Sequence, residues 1–159
     1  MIRSNAIRGK ADSLKRLITS VKSNKDLPDE VVGHMGRYLC VICAGFIETS
    51  LAEVFADYVT KRSAEEVASF CLDTLRKIQN PKASRIEEVC ARFDKSISVP
   101  LKQYLDDGAG ARRLSIDSVM NNRHQIAHGK QSSITIGQVE THLERAIDVF
   151  VFIENHFHL

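Results

Sequence analysis

A chain of 159 residues, 43% hydrophobic and 26% charged, has the composition of a folded globular protein, which excludes both a disordered chain and one embedded in lipid. At this length folding removes roughly two-thirds of the unfolded surface from water, enough for one core, and a single domain over 1–159 is expected. The net charge of +2 excludes a strong overall positive field, so any affinity for nucleic acid must come from a local basic cluster.

The N-terminal run MIRSNAIRGKADSLKRL is cationic but lacks the continuous apolar stretch of a signal peptide. A first helix is expected over about 4–22, with Ile7, Leu14, Leu17, Ile18 and Val21 on one side. Pro28, Asp29 and Glu30 suit the first turn of a second helix, where a missing N–H is harmless and carboxylates face the positive end of the dipole. That helix should run to about 61. It contains the longest apolar run, YLCVICAGFI at 38–47, followed by Glu48. No run approaches the eighteen or so uninterrupted apolar residues of a membrane span. The expectation is a core helix in a cytoplasmic protein with no membrane partner.

Four cysteines without a secretion signal point to reduced thiols. Cys40 and Cys43 form one C-x-x-C, but it lies inside the apolar run and has no second half at zinc-site spacing. Core packing is the preferred role.

Ser63 with Glu66 matches a capping box opening a third helix to about 79, where Asn80-Pro81 ends it. Ser84 with Glu87 repeats the signature for a fourth helix to about 95, and Ser98-Val99-Pro100 introduces a short fifth. DDGAGARR at 106–113 reads as a loop. A sixth helix follows over about 112–128, closed by Gly129, and a last one over about 136–157. Alternation of period two is nearly absent, so the fold class is all-α, a bundle of six or seven helices.

The sixth helix carries the chemistry, in NNRHQIAHG at 121–129. Ile116, Val119, Met120, Ile126 and Ala127 share one arc that should face the core, while Asp117, Asn121, His124 and His128 form a second stripe. Arg123 falls within the apolar arc, where an unpaired guanidinium costs several kcal/mol because it cannot shed its proton. Two escapes exist. Either Arg123 pairs with Glu48, itself set in an apolar helix, or it emerges into a cleft completed by another surface such as a second copy of the chain. In the first case Arg123→Ala costs on the order of 3 kcal/mol by stranding the carboxylate.

Arg123 and His128 are about 140° apart on a regular helix, yet a long arginine and a histidine beside the terminating glycine can reach one groove. Imidazole exchanges protons near neutral pH, and a guanidinium stabilises a developing phosphorane anion. These are the two requirements for cutting RNA without metal, the second proton-transfer group coming from His124 or a symmetry mate. The blander reading is a polar helix end favoured by the dipole alone. HQIAH has zinc-helix spacing, but Gln125 stands where H-E-x-x-H needs glutamate and no third ligand is evident, so neither a metal nor another cofactor is expected.

The string R-H-Q-I-A-H-G resembles the signature of the HEPN superfamily of short α-helical domains, many of them ribonucleases. It is most similar to the RiboL-PSP-HEPN branch, in which Arg-Asn/His/Asp-x-Ile-Ala-His-Gly precedes a loop and a long final helix. KQSSITIGQVETHLERAIDVFVFIENHF occupies that place, and YLCVICAGFIETSLAEVF resembles the apolar early helix with its internal glutamate. The resemblance covers about 38–58 and 112–157. It implies a metal-independent endoribonuclease leaving a 2′,3′-cyclic phosphate and a 5′-hydroxyl. Arg123 and His128, with His124 as the intervening polar residue, are the implied catalytic residues, and a homodimer lines one cleft with two copies of the motif.

Such proteins often serve as toxins or in antiviral defence under a regulatory partner. Toxins of this kind silenced by nucleotidyl transfer carry a tyrosine two residues beyond the histidine; Lys130 stands there, so that control is not expected. Asn121 and Lys130 are candidate RNA contacts. Arg112 and Arg113 also suit a phosphate backbone, although a solvated helix end accounts for any one of them. His34, His142, His156 and His158 have no partner at a telling spacing. The alternative is a non-catalytic HEPN-type module that binds RNA or a partner protein.

Overall fold

A computed structural model describes residues 1–157, the side chain of Asp57 excepted. The elements are α1 (Asn5–Ser23), α2 (Asp29–Arg62), α3 (Glu65–Arg76), α4 (Ala83–Phe93), a 3₁₀ turn (Lys95–Ile97), α5 (Ser98–Ala127) and α6 (Ile136–His156), with no strand among the described residues. The all-α expectation is met. The expected fifth and sixth helices form two segments of α5, separated where DDGAGARR predicts a loop: Asp107 is extended, and Gly108, Ala109 and Gly110 have φ of 60°, 59° and 71°. Two glycines take this left-handed turn without a Cβ clash, while Ala109 bears about 1–2 kcal/mol of strain.

α2 lies at the centre, packed on α1, α3, α5 and α6. Its Leu39, Ile47, Leu51 and Phe55 are fully buried beside Ile116, Val119 and Met120 of α5 and Val139, Val149 and Phe150 of α6. Phe55 stacks on Phe93 with centroids 4.0 Å apart, and Phe46 meets Phe150 edge to face. Glu154, buried on α6, accepts the backbone N–H groups of Arg3 and Ser4 and anchors the start of α1.

Helix length changes one expectation. Among the described residues α2 is long and apolar enough by length and composition to cross a membrane, with a mean hydropathy of 1.8 over an 18-residue window. Counting uninterrupted apolar residues misses this because scattered polar residues break the run. Of that window 56% is buried against other helices, the setting of a core helix. Cys40, Cys43 and Cys90 are buried and free, and burial pushes the Cys40 thiol up to about 11 and the Cys90 thiol up to about 12. Thiols held protonated are poor nucleophiles, as packing residues should be.

Neither expected capping box forms. The Ser63 hydroxyl donates back to the Val59 carbonyl, and α3 begins after Ala64 with no side-chain cap. α4 begins at Ala83, whose N–H donates to Asp117 Oδ1 at 2.8 Å, and Glu87 turns instead to Arg113. At Ser63 a bond back to the preceding helix turn replaces the cap, and at α4 a partner brought by the fold does. Helices α3 and α4 also end earlier than expected, at Arg76 and Phe93.

Candidate functional site

In the second segment of α5 the fully buried positions end at Met120, and the helix is more open beyond it. Asn121, His124, Gln125, Ala127 and His128 are exposed, and Arg123 and Ile126 are half-buried. The core arc continues past Met120 to the half-buried Ile126, which packs against the core, whereas Ala127, expected inside, faces solvent. The last two turns of the helix form a largely exposed tip.

His128 caps that tip. Gly129, with φ +67°, donates its N–H to the Ile126 carbonyl at 3.1 Å, and Lys130 donates to the Gln125 carbonyl at 2.9 Å. This pair of bonds is a Schellman motif: glycine takes the left-handed position that other residues avoid, satisfying carbonyls the helix end leaves free. Four residues apart on one face, the His124 and His128 rings have centroids 4.4 Å apart and planes at 61°.

The expected Arg123–Glu48 pair does not form. Glu48 Oε1 accepts the N–H of Asn80, at φ +54° in the α3–α4 connection. It lines a cavity of about 300 Å³ with Ala52, Leu72, Arg76 and Ile78. A main-chain N–H in a constrained turn has claimed the carboxylate. Arg123, half-buried near the helix end, has no hydrogen bond or ion pair among the described residues.

The segment after the tip is clasped on both sides. Asn122 donates to the Ser118 carbonyl at 2.8 Å and accepts from the buried Ser132 hydroxyl at 2.7 Å. On the other side a Cβ on Gly36 would stand 2.6 Å from the Ile134 carbonyl oxygen, so only glycine lets α2 approach the loop. Thr135 and Gln138 then form a reciprocal capping box that opens α6. Sequence reading missed all of these. The Thr-x-x-Gln pattern was a usable signal for the cap, whereas nothing local marks Asn122 as a tie to a residue ten positions on.

Other candidates are occupied elsewhere. Arg113 binds Glu87 at 2.9 and 3.1 Å and Asp106 at 2.5 Å, and these bonds raise its pKa further. Arg112 donates to the Tyr104 carbonyl and lies 4.0 Å over that ring. Both are structural. Asp117, expected on the histidine stripe, caps α4. His34, His142 and His156 all have partners: Arg37, Ser115 and Asp94. The His156 and Ser96 bonds hold the Asp94 carboxyl down at about 2. His158 lies outside the described residues. Asn121 and Lys130 are exposed at either end of the tip. Among the described residues no three His, Cys, Asp or Glu gather as metal ligands would.

The chain is thus an all-α domain with an arginine and two histidines on a solvent-exposed helix end. The sequence model of the RiboL-PSP-HEPN family matches residues 7–158, and the chain belongs to that family. The match also spans 63–110, where the residues themselves show little beyond helices. No curated protein and no solved structure matches the chain.

Proposed function

We propose that the protein is a metal-independent endoribonuclease acting as a homodimer, with the α5 tip as its active site. The observation that carries this reading is the His124–His128 contact at 4.4 Å on an exposed helix end, with Arg123 next to His124 in the chain and without a carboxylate partner among the described residues. His128 takes the proton of the ribose 2′-hydroxyl, and the freed oxygen attacks phosphorus. Arg123 stabilises the anionic pentacoordinate centre. The 5′-oxygen leaves with a proton from a second imidazole, His124 or its counterpart in the other copy, giving a 2′,3′-cyclic phosphate and a 5′-hydroxyl. Asn121 and Lys130 contact the strand on either side. A second copy facing the tip excludes water and strengthens each charge interaction.

In this reading the protein is a cytoplasmic toxin or antiviral effector restrained by a regulatory partner. The test is incubation with generic RNA in chelator, followed by end-group analysis. Cyclic phosphate and 5′-hydroxyl ends, lost in His128→Ala while the dimer persists in sedimentation, are the expected result. A non-catalytic interaction module is the second reading, favoured by exposed apolar residues on α2: Val31, Tyr38, Val41 and Ile42, of which Tyr38 is 51% exposed. Intact RNA at high protein concentration, with tight binding to another protein, selects it.

A further inference from the structure

One residue past His128 the surface falls into a groove of about 460 Å³ lined by Arg37, Gly129, Lys130, Gln131, Ser132 and Ser133. Its lining holds two cations, two hydroxyls and an amide, and no carboxylate. Arg37 comes from α2, far from the tip in sequence. Among the described residues its one hydrogen bond is donated to His34 Nδ1 at 2.9 Å, and no ion pair involves it. With Nδ1 accepting, the His34 proton sits on Nε2, which faces Glu30 Oε1 at 4.0 Å. Glu30 thus reaches the guanidinium only through the ring, which orients Arg37 without neutralising it.

The contrast with the arginines at the other end of the segment is chemical: Arg113 spends its donors on two carboxylates, while most of the Arg37 donors are uncommitted. The groove is also built rather than incidental. Gly36 lets the 132–136 segment close against α2, and Ser132 is held by Asn122. A Cβ on Gly129 would meet nothing within 4 Å, so a strand can pass close over the backbone there.

We propose that this groove binds a phosphate of the RNA strand flanking the scissile bond, with Arg37 as its main ligand and Lys130 and the exposed Ser133 assisting. A planar guanidinium with free donors suits two phosphate oxygens. The proposal rests on the nuclease reading for its substrate, and the two are separable by experiment.

Binding of a labelled single-stranded 2′-O-methyl oligoribonucleotide, which has no nucleophile and cannot be cut, is measured by anisotropy across a salt series. Wild type should bind with a log–log salt slope that falls by about 0.7 in Arg37→Gln for the one lost contact, with affinity reduced several-fold. Lys130→Gln should act similarly. Arg37→Lys should restore most of the slope, which a purely structural role would not produce; melting curves of all variants check folding. No binding by wild type, or an Arg37→Gln variant with wild-type affinity and slope, overturns the groove. Cleavage of unmodified RNA is scored separately. Arg37-dependent binding without cleavage keeps the groove and removes the nuclease, and cleavage indifferent to Arg37 does the reverse.

Discussion

The two ends of the second α5 segment carry the same side chain in opposite circumstances. At its start Arg113 is gripped by Glu87 and Asp106; at its finish Arg123 has no partner among the described residues. One arginine stitches α5 to α4. The other is half-buried on the turn that carries His124. A charge inside a helix is structural where neighbouring helices supply its counter-ion, and it is available to a ligand where the helix outruns its neighbours.

The sharpest way to break this comparison is His128→Ala, which should lower RNA cleavage at least about a hundredfold while leaving the melting temperature close to wild type, because the ring is exposed. Unchanged cleavage removes the tip as an active site. Next come Gly36→Ala and Arg113→Ala. The new methyl drives into the Ile134 carbonyl and should cost about 2 kcal/mol in denaturant unfolding, loosening the loop beyond the tip. Arg113→Ala leaves two partly shielded carboxylates unpaired and should cost about 2 kcal/mol. Arg123→Ala should cost under about 1 kcal/mol, reversing the larger loss that a Glu48 pair implied; equal destabilisation of the two arginine variants would erase the distinction. Gly129→Ala, placed at φ +67° in open space, should cost about 1 kcal/mol through backbone strain alone.

The smallest effect is pH-linked. Desolvation, then the Arg145 charge, lower the His142 pKa in the folded protein, where Ser115 Oγ lies 3.1 Å from Nδ1. The unfolded chain therefore binds a proton that the native state resists. Native stability is complete above the unfolded value of about 6.5 and is lost as pH falls below it. Unfolding midpoints compared on the two sides of that value should differ in wild type and differ less in His142→Gln.

Most of the helices were legible in the residues. Periodic apolar positions and the Gly-rich turn at 108–110 anticipate the element order, and Gly129 correctly marks the end of the tip. The caps were less legible. Ser63 and Ser84 sit in sequences that suit a capping box, yet the α3 start carries no side-chain cap and the N–H of Ala83 is satisfied by Asp117, thirty-four residues away. A hydrogen bond contributes only about 1 kcal/mol net, so small differences in approach decide which forms. The pairing of Glu48 was misjudged for the same reason: apolar surroundings reveal that a carboxylate needs a partner, without saying which donor arrives.

By itself the sequence determined the all-α class, the break in α5, the buried cysteines and the arginine–histidine cluster ending in glycine, because helix periodicity, left-handed turns and burial of apolar side chains are set by neighbours along the chain. The tertiary structure alone decided that the helix end stays largely exposed, that Arg123 lacks a carboxylate among the described residues, and that Arg37 and Lys130 line one groove. Those are contacts between residues distant in sequence, and their outcome depends on which donors and acceptors packing brings within 3 Å or so of one another.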